Sequence, residues 1–247
     1  MGNMNKLAAV AQIKWLCMSQ NTAVVIGPFM VIGMVWGFKI LYSNFGPNGE
    51  LIPIMMAMLL NLGVTMNICI NGFLMVGTAI AEEKEKHTLR VLMTSSVTGM
   101  QYFIGSILYP FVLTVVINFA ILWVSGIEMG QVSVPVFFLV SVIASLISCV
   151  IGMIVGICAS TQMNANLIGY PLMMVFMMVP ILGNLSEGLR RISGFLFTGV
   201  VTQMTDCFAN GAEYKMEALD IAVLFGELII SVLVFLVMYR KNGYEKD

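Results

Sequence analysis

The fold class is decided by one charged stretch, Glu82-Glu83-Lys84-Glu85-Lys86-His87-Thr88-Leu89-Arg90. Six of its nine residues are acidic or basic, whereas the preceding residues 51–81 carry no charge. Another long apolar run begins downstream at Tyr102. A charged segment between two apolar runs of membrane-spanning length must lie in water, because charged side chains are costly in lipid. We therefore predict a short, helical connector at a membrane surface.

The composition indicates an integral membrane protein made of helices. Hydrophobic residues form 59% of the chain, charged residues form 10%, and the mean hydropathy is +0.94. A membrane β-barrel would show short segments of alternating polarity instead. Nearly all of the 247 residues are needed for the spans and their connectors. We therefore predict one membrane domain, residues 1–247, which leaves no room for a nucleotide-binding domain.

The apolar runs predict six spans behind an interfacial helix. The interfacial helix is expected at about residues 4–20, where Lys14 adjoins Trp15, a pairing typical of a membrane surface. The semi-polar residues 186–217 precede the last span, and their more apolar part, 195–208, is too short to cross. That part is expected to enter the membrane partway or to lie on its surface. The predicted spans are about 22–42, 51–81, 102–125, 134–159, 167–185 and 218–239.

The distribution of Lys and Arg predicts the orientation of the chain. Six crossings put both termini on one side, together with the connector between spans two and three. Eight of the twelve Lys and Arg residues fall on that side and four on the other. Cytoplasmic loops are enriched in Lys and Arg. We therefore expect a multi-pass protein of a bacterial cell membrane, with both termini in the cytoplasm.

Residues 83–98 resemble a segment of a known family. They read E-K-E-K-H-T-L-R-V-L-M-T-S-S-V-T, which is similar to the E-x-E-x-x-T-L-x-x-L-x-x-S-P-V-S connector of ABC type-2 exporter permeases. Ser96 stands where that family usually has Pro, and Arg90 where it often has an acid. The six spans, the interfacial helix and the semi-polar segment before the last span extend the resemblance over the whole chain.

The resemblance implies the transmembrane permease subunit of an ATP-driven exporter. The implied partners are membrane lipid, a second permease subunit, identical or homologous, and two cytoplasmic ABC ATPase subunits, with no nucleic acid. The connector would be a coupling helix in a cleft of the ATPase, and the semi-polar segment would form an outer gate. The chain would hold no cofactor and no catalytic site of its own, since ATP and Mg²⁺ would bind to the ATPase.

The residues of the connector are compatible with such a role. Leu89, Leu92 and Met93 share one helical face at i, i+3, i+4 spacing, and charges flank this ridge. An apolar ridge of this kind suits a groove on a partner protein. A solvated loop that only fixes topology would carry the same charges. The predicted ATPase-coupling residues are Glu82, Glu83, Glu85, His87, Thr88, Leu89, Arg90, Leu92 and Met93.

Metal binding and catalysis find little support in the residues. Glu83 and His87 are at i, i+4 and could share a metal ion, but His87 is the single histidine and no third ligand is evident. The five cysteines are scattered without a C-x-x-C pair, and no Ser-His or Cys-His pairing lies in the spans. We therefore predict no metal site and no enzyme.

Polar residues inside the spans suggest a translocation path. Asn67 and Asn71 lie in span two, where they either hydrogen-bond to a neighbouring helix or line the path. Asp220 and Glu227 share one face of span six, and Glu227 lies deepest. A buried acid needs a partner on a neighbouring helix, a proton or a cationic cargo. The predicted path residues are Asn67, Asn71, Asp220 and Glu227.

The sequence leaves the cargo open. Small size favours an amphipathic peptide, an antibiotic or a drug. A lipid-linked glycan, another lipid or an ion remains an alternative within the same family. Two further alternatives are a non-transporting membrane scaffold or immunity protein and a secondary carrier that works on ion gradients. Co-purification of an ATPase would discriminate between these classes.

Overall fold

The computed structural model describes residues 3–20, 22–45, 51–88, 99–183 and 186–241, and no β-strand occurs among them. A short 3-10 turn, Met129–Gln131, lies before the fifth helix. The helices are α1 (Asn3–Gln20), α2 (Thr22–Ser43), α3 (Pro53–Glu85), α4 (Gly99–Ser125), α5 (Val134–Cys158), α6 (Gln162–Leu182), α7 (Glu187–Ser193), α8 (Phe197–Ala209) and α9 (Ala218–Lys241).

Six helices in the described ranges are long and apolar enough to cross a membrane. They are α2, α3, α4, α5, α6 and α9, and each has a mean hydropathy of at least 1.7 over its most apolar window. The predicted class, an all-helical membrane protein with six spans, is thereby confirmed. The membrane position of α1 and the coupling role of the connector stay predictions.

Helices α3 and α5 form the centre of the bundle. About 61% of each span is buried inside the chain, against 17–22% for α2, α6 and α9. Glycines let the two central helices approach closely. A Cβ added to Gly152 would lie 2.5 Å from the carbonyl oxygen of Phe73, and one added to Gly156 would lie 2.9 Å from that of Gly77. The Gly152-x-x-x-Gly156 pair of α5 therefore serves the packing of α3 on α5.

The semi-polar segment forms two short helices, of which α8 is buried. Phe197, Val200, Val201, Met204 and Phe208 of α8 all belong to the main hydrophobic core. Helix α8 packs against α3, α5 and α6, and its 13 residues are too few to cross a membrane. The apolar part of the predicted segment 195–208 thus lies among the spanning helices and not on the outside of the bundle.

Candidate functional site

A buried ion pair joins the end of α3 to α1. Lys14 of α1 is only 5% exposed, and its ammonium pairs with the Oε1 atom of Glu83. The same ammonium donates to the hydroxyl oxygen of Tyr102 on α4 at 3.2 Å and lies 4.3 Å from the centroid of that ring. The Tyr102 hydroxyl in turn donates to Oε2 of Glu83. One lysine therefore ties together the helices on both sides of the connector.

Electrostatics makes this cluster sensitive to the loss of either charge. Burial lowers the pKa of Lys14 below its ordinary value, and the negative charge of Glu83 opposes that shift. A buried charge that loses its partner is strongly destabilising, because the remaining ion stays out of water. The packing around the cluster is also close, since the rings of Trp15 and Tyr109 meet edge to face at 4.7 Å. The cluster therefore holds α1 firmly against α4.

The next two charges of α3 bind the turn between α5 and α6. The Lys84 ammonium donates to the carbonyl oxygens of Ile157 and Ala159, each at 2.8 Å, where α5 ends. The Glu85 carboxylate accepts from the backbone N–H of Gln162, the first residue of α6, at 2.9 Å. A cation at a helix C-terminus and an anion at a helix N-terminus both complement the helix dipole. The two side chains thus fix the end of α3 to α5 and α6.

The connector itself begins with exposed residues. Lys86, His87 and Thr88 are exposed, and Lys86 pairs with Glu82 one turn earlier at 2.5 Å. His87 ends α3 in the left-handed region at φ 57°, a helix-terminating conformation usually taken by glycine. The other predicted coupling residues lie outside the described residues: Leu89, Arg90, Leu92 and Met93.

The described residues of the predicted coupling set differ in their contacts. Glu83 and Glu85 bond to other helices, so they position the end of α3, although Glu85 is itself exposed. His87 and Thr88 are exposed, as is the neighbouring Lys86, which was not part of that set. Contact of the set with an ATPase stays a prediction. Sequence reasoning missed Lys14 as a participant, although a lone cation among the apolar residues 7–18 was a signal that it needed a buried partner.

Asn67 and Asn71 lie in a hydrogen-bonded network between α3 and α4. Asn67 is fully buried, and its Nδ2 donates to the carbonyl oxygen of Thr114 at 2.8 Å and to Oδ1 of Asn118 at 2.7 Å. Asn71 donates to Oδ1 of Asn67 at 2.7 Å. Hydrogen bonds of this kind hold spanning helices together. For Asn67 the structure shows contact with α4, and its role in a path stays a prediction.

A groove of about 250 Å³ opens beside this network. It lies between α2, α3 and α6, and Asn71 lines it at a point where its Oδ1 has no hydrogen-bond partner among the described residues. Glu82 and Gln162 line it near the connector, and Val24 and Tyr170 contribute apolar and aromatic surface. The groove therefore combines apolar walls with a few polar groups, as ligand sites commonly do.

Asp220 acts as a helix cap at the start of α9. It is 4% exposed, and its Oδ2 accepts from the backbone N–H of Glu217 at 3.1 Å and from the Tyr214 hydroxyl at 2.8 Å. The side chain of the third helical residue thus accepts from the backbone N–H of the N-cap residue, which is half of a capping box. Burial, followed by contact with Asp220, raises the pKa of Tyr214 above its ordinary value. The hydroxyl therefore keeps its proton and donates it in this bond.

Glu227 also binds a helix N-terminus. Its Oε2 accepts from the backbone N–H of Phe197, the first residue of α8, at 3.0 Å. The unpaired N–H groups at such an end carry partial positive charge and stabilise a nearby carboxylate. The end of α8 thus supplies the partner that the sequence analysis sought for Glu227. Cargo contact by Asp220 or Glu227 stays a prediction.

Comparison with known proteins assigns the family. A family model described as ABC-2 family transporter protein matches residues 40–239, which include α3 to α8 and most of α9. No curated protein matches the chain. The match covers more than half of the sequence and agrees with the six spanning helices. The chain therefore belongs to the ABC-2 transporter family, as a transmembrane permease subunit of an ABC transporter.

Proposed function

We propose that the chain is the permease subunit of an ATP-driven exporter and that the segment after α3 couples it to a separate ABC ATPase. One observation carries the proposal. Side chains at the end of α3, Glu83 to Glu85, bond to its neighbours, and the surface formed by Glu85 and the next three residues, 86–88, is exposed to a partner. Membership of a permease family supports a partner that hydrolyses ATP.

This arrangement suits a coupling role mechanically. The internal contacts of Glu83 reach α1 and α4, and those of Lys84 and Glu85 reach α5 and α6. A force applied to residues 86–88 would therefore act on four helices besides α3.

The groove between α2, α3 and α6 supports an amphipathic cargo. Its walls include Ile70 and Leu74, and its polar groups include Asn71, Glu82 and Asn166. A peptide, an antibiotic or a drug with both apolar and polar parts fits such a lining better than a bare ion does. We propose that a second permease subunit closes the open side, since α6, at 17%, is the least buried span among the described residues.

The orientation follows from the charge distribution. The end of α3 and the C-terminal Arg240 and Lys241 lie on one side of the bundle, which we propose to be cytoplasmic. A bacterial cell membrane is the proposed location. A lipid, glycan or ion exporter, or a non-transporting scaffold or immunity protein, is the alternative to be distinguished by experiment.

Site-directed photo-crosslinking tests the proposal. A photo-reactive amino acid is placed at Thr88, at the start of the connector, and at Asn210, which is exposed beyond α8 at the other end of the bundle. We expect ATP-dependent transport by the wild-type complex and an adduct with the ATPase from position 88 only. An ATPase that co-purifies but gives no adduct at 88 would disprove the coupling site. A wild-type chain that retains no ATPase would favour the scaffold alternative.

A further inference from the structure

The most irregular part of α3 lies in the middle of the helix. From Ile68 to Leu74 the backbone widens into π-helical turns, and the N–H of Met75 donates to the carbonyl of Ile70, five residues earlier. Such turns are uncommon inside α-helices and often mark functional sites. A side chain stabilises this one, because the Ser148 hydroxyl of α5 donates to the carbonyl oxygen of Ile68 at 2.6 Å.

The two halves of α3 on either side of these turns have different main neighbours. The first half, Pro53–Asn67, packs mainly on α2, α4 and α8, and Asn61 accepts a hydrogen bond from Thr202 of α8 at 3.1 Å. The second half, Met75–Glu85, packs on α5 and α6 and carries the contacts to Lys14 and to the end of α5. The π-helical turns therefore join two halves of α3. The first half is bound to α8, and the second half is bound to Lys14 and to the end of α5, near the connector.

The adjacent helices are weakened at the same level. Pro28 of α2 follows Gly27. A Cβ added to Gly27 would lie 2.7 Å from Oδ1 of Asn71, so α2 approaches α3 closely here. Pro110 interrupts α4, and the Thr114 hydroxyl donates to its carbonyl oxygen at 2.7 Å. Thr114 Oγ1 is 3.8 Å from the position of a Cβ added to Gly72, inside the π-helical turns. Proline removes a backbone hydrogen bond from a helix, so α2 and α4 have incomplete ladders beside the π-helical turns of α3.

We infer that the π-helical turns, Ile68–Leu74, are a hinge at which Met75–Glu85 moves relative to Pro53–Asn67 when the connector is displaced. The inference rests on the proposed function, because coupling to an ATPase supplies the force. Exchange of i→i−5 for i→i−4 bonds tightens the turn and rotates the second half about the helix axis. Ile70, Asn71 and Leu74 line the groove, so rotation at the hinge changes its shape.

Deletion of one residue tests the hinge directly. A π-helical turn holds one residue more than an α-helical turn, so deletion of Cys69, which is buried and does not line the groove, restores an α-helical ladder and keeps both halves in register. Cys69→Ala is the matched control, because it keeps the chain length and loses the same side-chain contacts. We expect both variants to bind the ATPase and hydrolyse ATP. Cargo transport is expected to fall about tenfold or more in the deletion variant only. A tenfold change in rate corresponds to about 1.4 kcal/mol of activation free energy.

Two outcomes would overturn the hinge. Normal transport by the deletion variant would show that the extra residue is a tolerated insertion. Hydrogen exchange of the wild-type complex gives the second measurement, which does not depend on the folding of a variant. We expect the amides of residues 68–75 to change exchange rate between nucleotide-free and ATP-analogue-bound states more than those of 57–66. Equal exchange in both states would exclude the hinge, whereas failure of the proposed function would appear as a wild-type chain without bound ATPase.

Discussion

Acidic side chains at the end of α3 and on α9 are stabilised in different ways. At the end of α3, Glu83 pairs with the ammonium of Lys14. On α9, Asp220 and Glu227 accept from backbone N–H groups at 3.1 and 3.0 Å, each at the start of a helix. The first arrangement depends on a second charge, and the other two depend on backbone geometry. An acidic residue for which the sequence offers no cation can therefore still have a partner, which is a backbone N–H group.

Removal of the Lys14 ammonium should have the largest effect on stability. Lys14→Met keeps the apolar stem and removes the ammonium, which leaves the Glu83 carboxylate with Tyr102 alone. Loss of one partner of a buried pair costs about 3–5 kcal/mol, and the partial exposure of Glu83 favours the lower value. Thermal unfolding of the chain in lipid nanodiscs measures the loss. The double variant Lys14→Met/Glu83→Gln should recover most of it, and a double variant no more stable than Lys14→Met would refute the ion pair as the cause.

The cap of α9 should have an intermediate effect. Asp220→Ala removes the bonds to the N–H of Glu217 and to the Tyr214 hydroxyl, and loss of such a cap costs about 1–2 kcal/mol. Glu217→Ala is the matched control, because Glu217 is exposed and its backbone N–H remains in place. The same unfolding measurement applies. Equal losses in the two variants would mean that the acid at 220 does not act as a cap.

Glu227→Gln should change stability less still. Glutamine keeps an oxygen that can accept from the N–H of Phe197, so only the interaction of charge with the end of α8 is lost, about 0.3–1 kcal/mol. If Glu227 also contacts cationic cargo, export of cations should fall while export of neutral cargo and ATP hydrolysis remain. Parallel transport assays with a cationic and a neutral substrate make this comparison. Normal export of every cation tested would leave capping as the role of Glu227.

Sequence reasoning found the spans because their signal is local. The absence of charge from residues 51–81 and the Lys and Arg distribution need no knowledge of contacts. The partner of Glu83 could not be found in this way, since Lys14 lies 69 residues earlier and several cations were equally eligible. The partner of Glu227 is a backbone N–H group, which every residue except proline carries and which a helix start leaves without an intrahelical partner.

The hydrophobic pattern of the sequence did not indicate two features of the bundle interior. The π-helical turns Ile68–Leu74 occur within an apolar run, where one extra residue per turn leaves no visible break. Segment 195–208 was expected to enter the membrane partway or to lie on its surface, and the burial of Phe197 and Phe208 among the spanning helices favours the first of these. Length and polarity indicate whether a helix can cross, and they do not indicate which neighbours enclose it.

The exposed pair beside the buried one should separate stability from coupling. Lys86 forms its contact with Glu82 in water, where such pairs are screened, so Lys86→Glu should leave the unfolding temperature unchanged. The hydrogen bond to Glu82 raises the pKa of Lys86 above its ordinary value of 10.5, so its stabilising contribution is complete below that pH and is lost only as pH rises through the raised pKa. At pH 7 Lys86 is therefore protonated in every variant that retains it.

Reversal of this charge should lower ATP-driven transport if residues 86–88 contact the ATPase. Lys215→Glu is the matched control, since Lys215 is an exposed lysine before α9 at the opposite end of the bundle. Lys14→Met should reduce stability and transport together, whereas Lys86→Glu should reduce transport alone, because one residue anchors the end of α3 and the other meets the partner. Wild-type transport and ATPase binding in Lys86→Glu would show that Lys86 is not part of the contact with the ATPase.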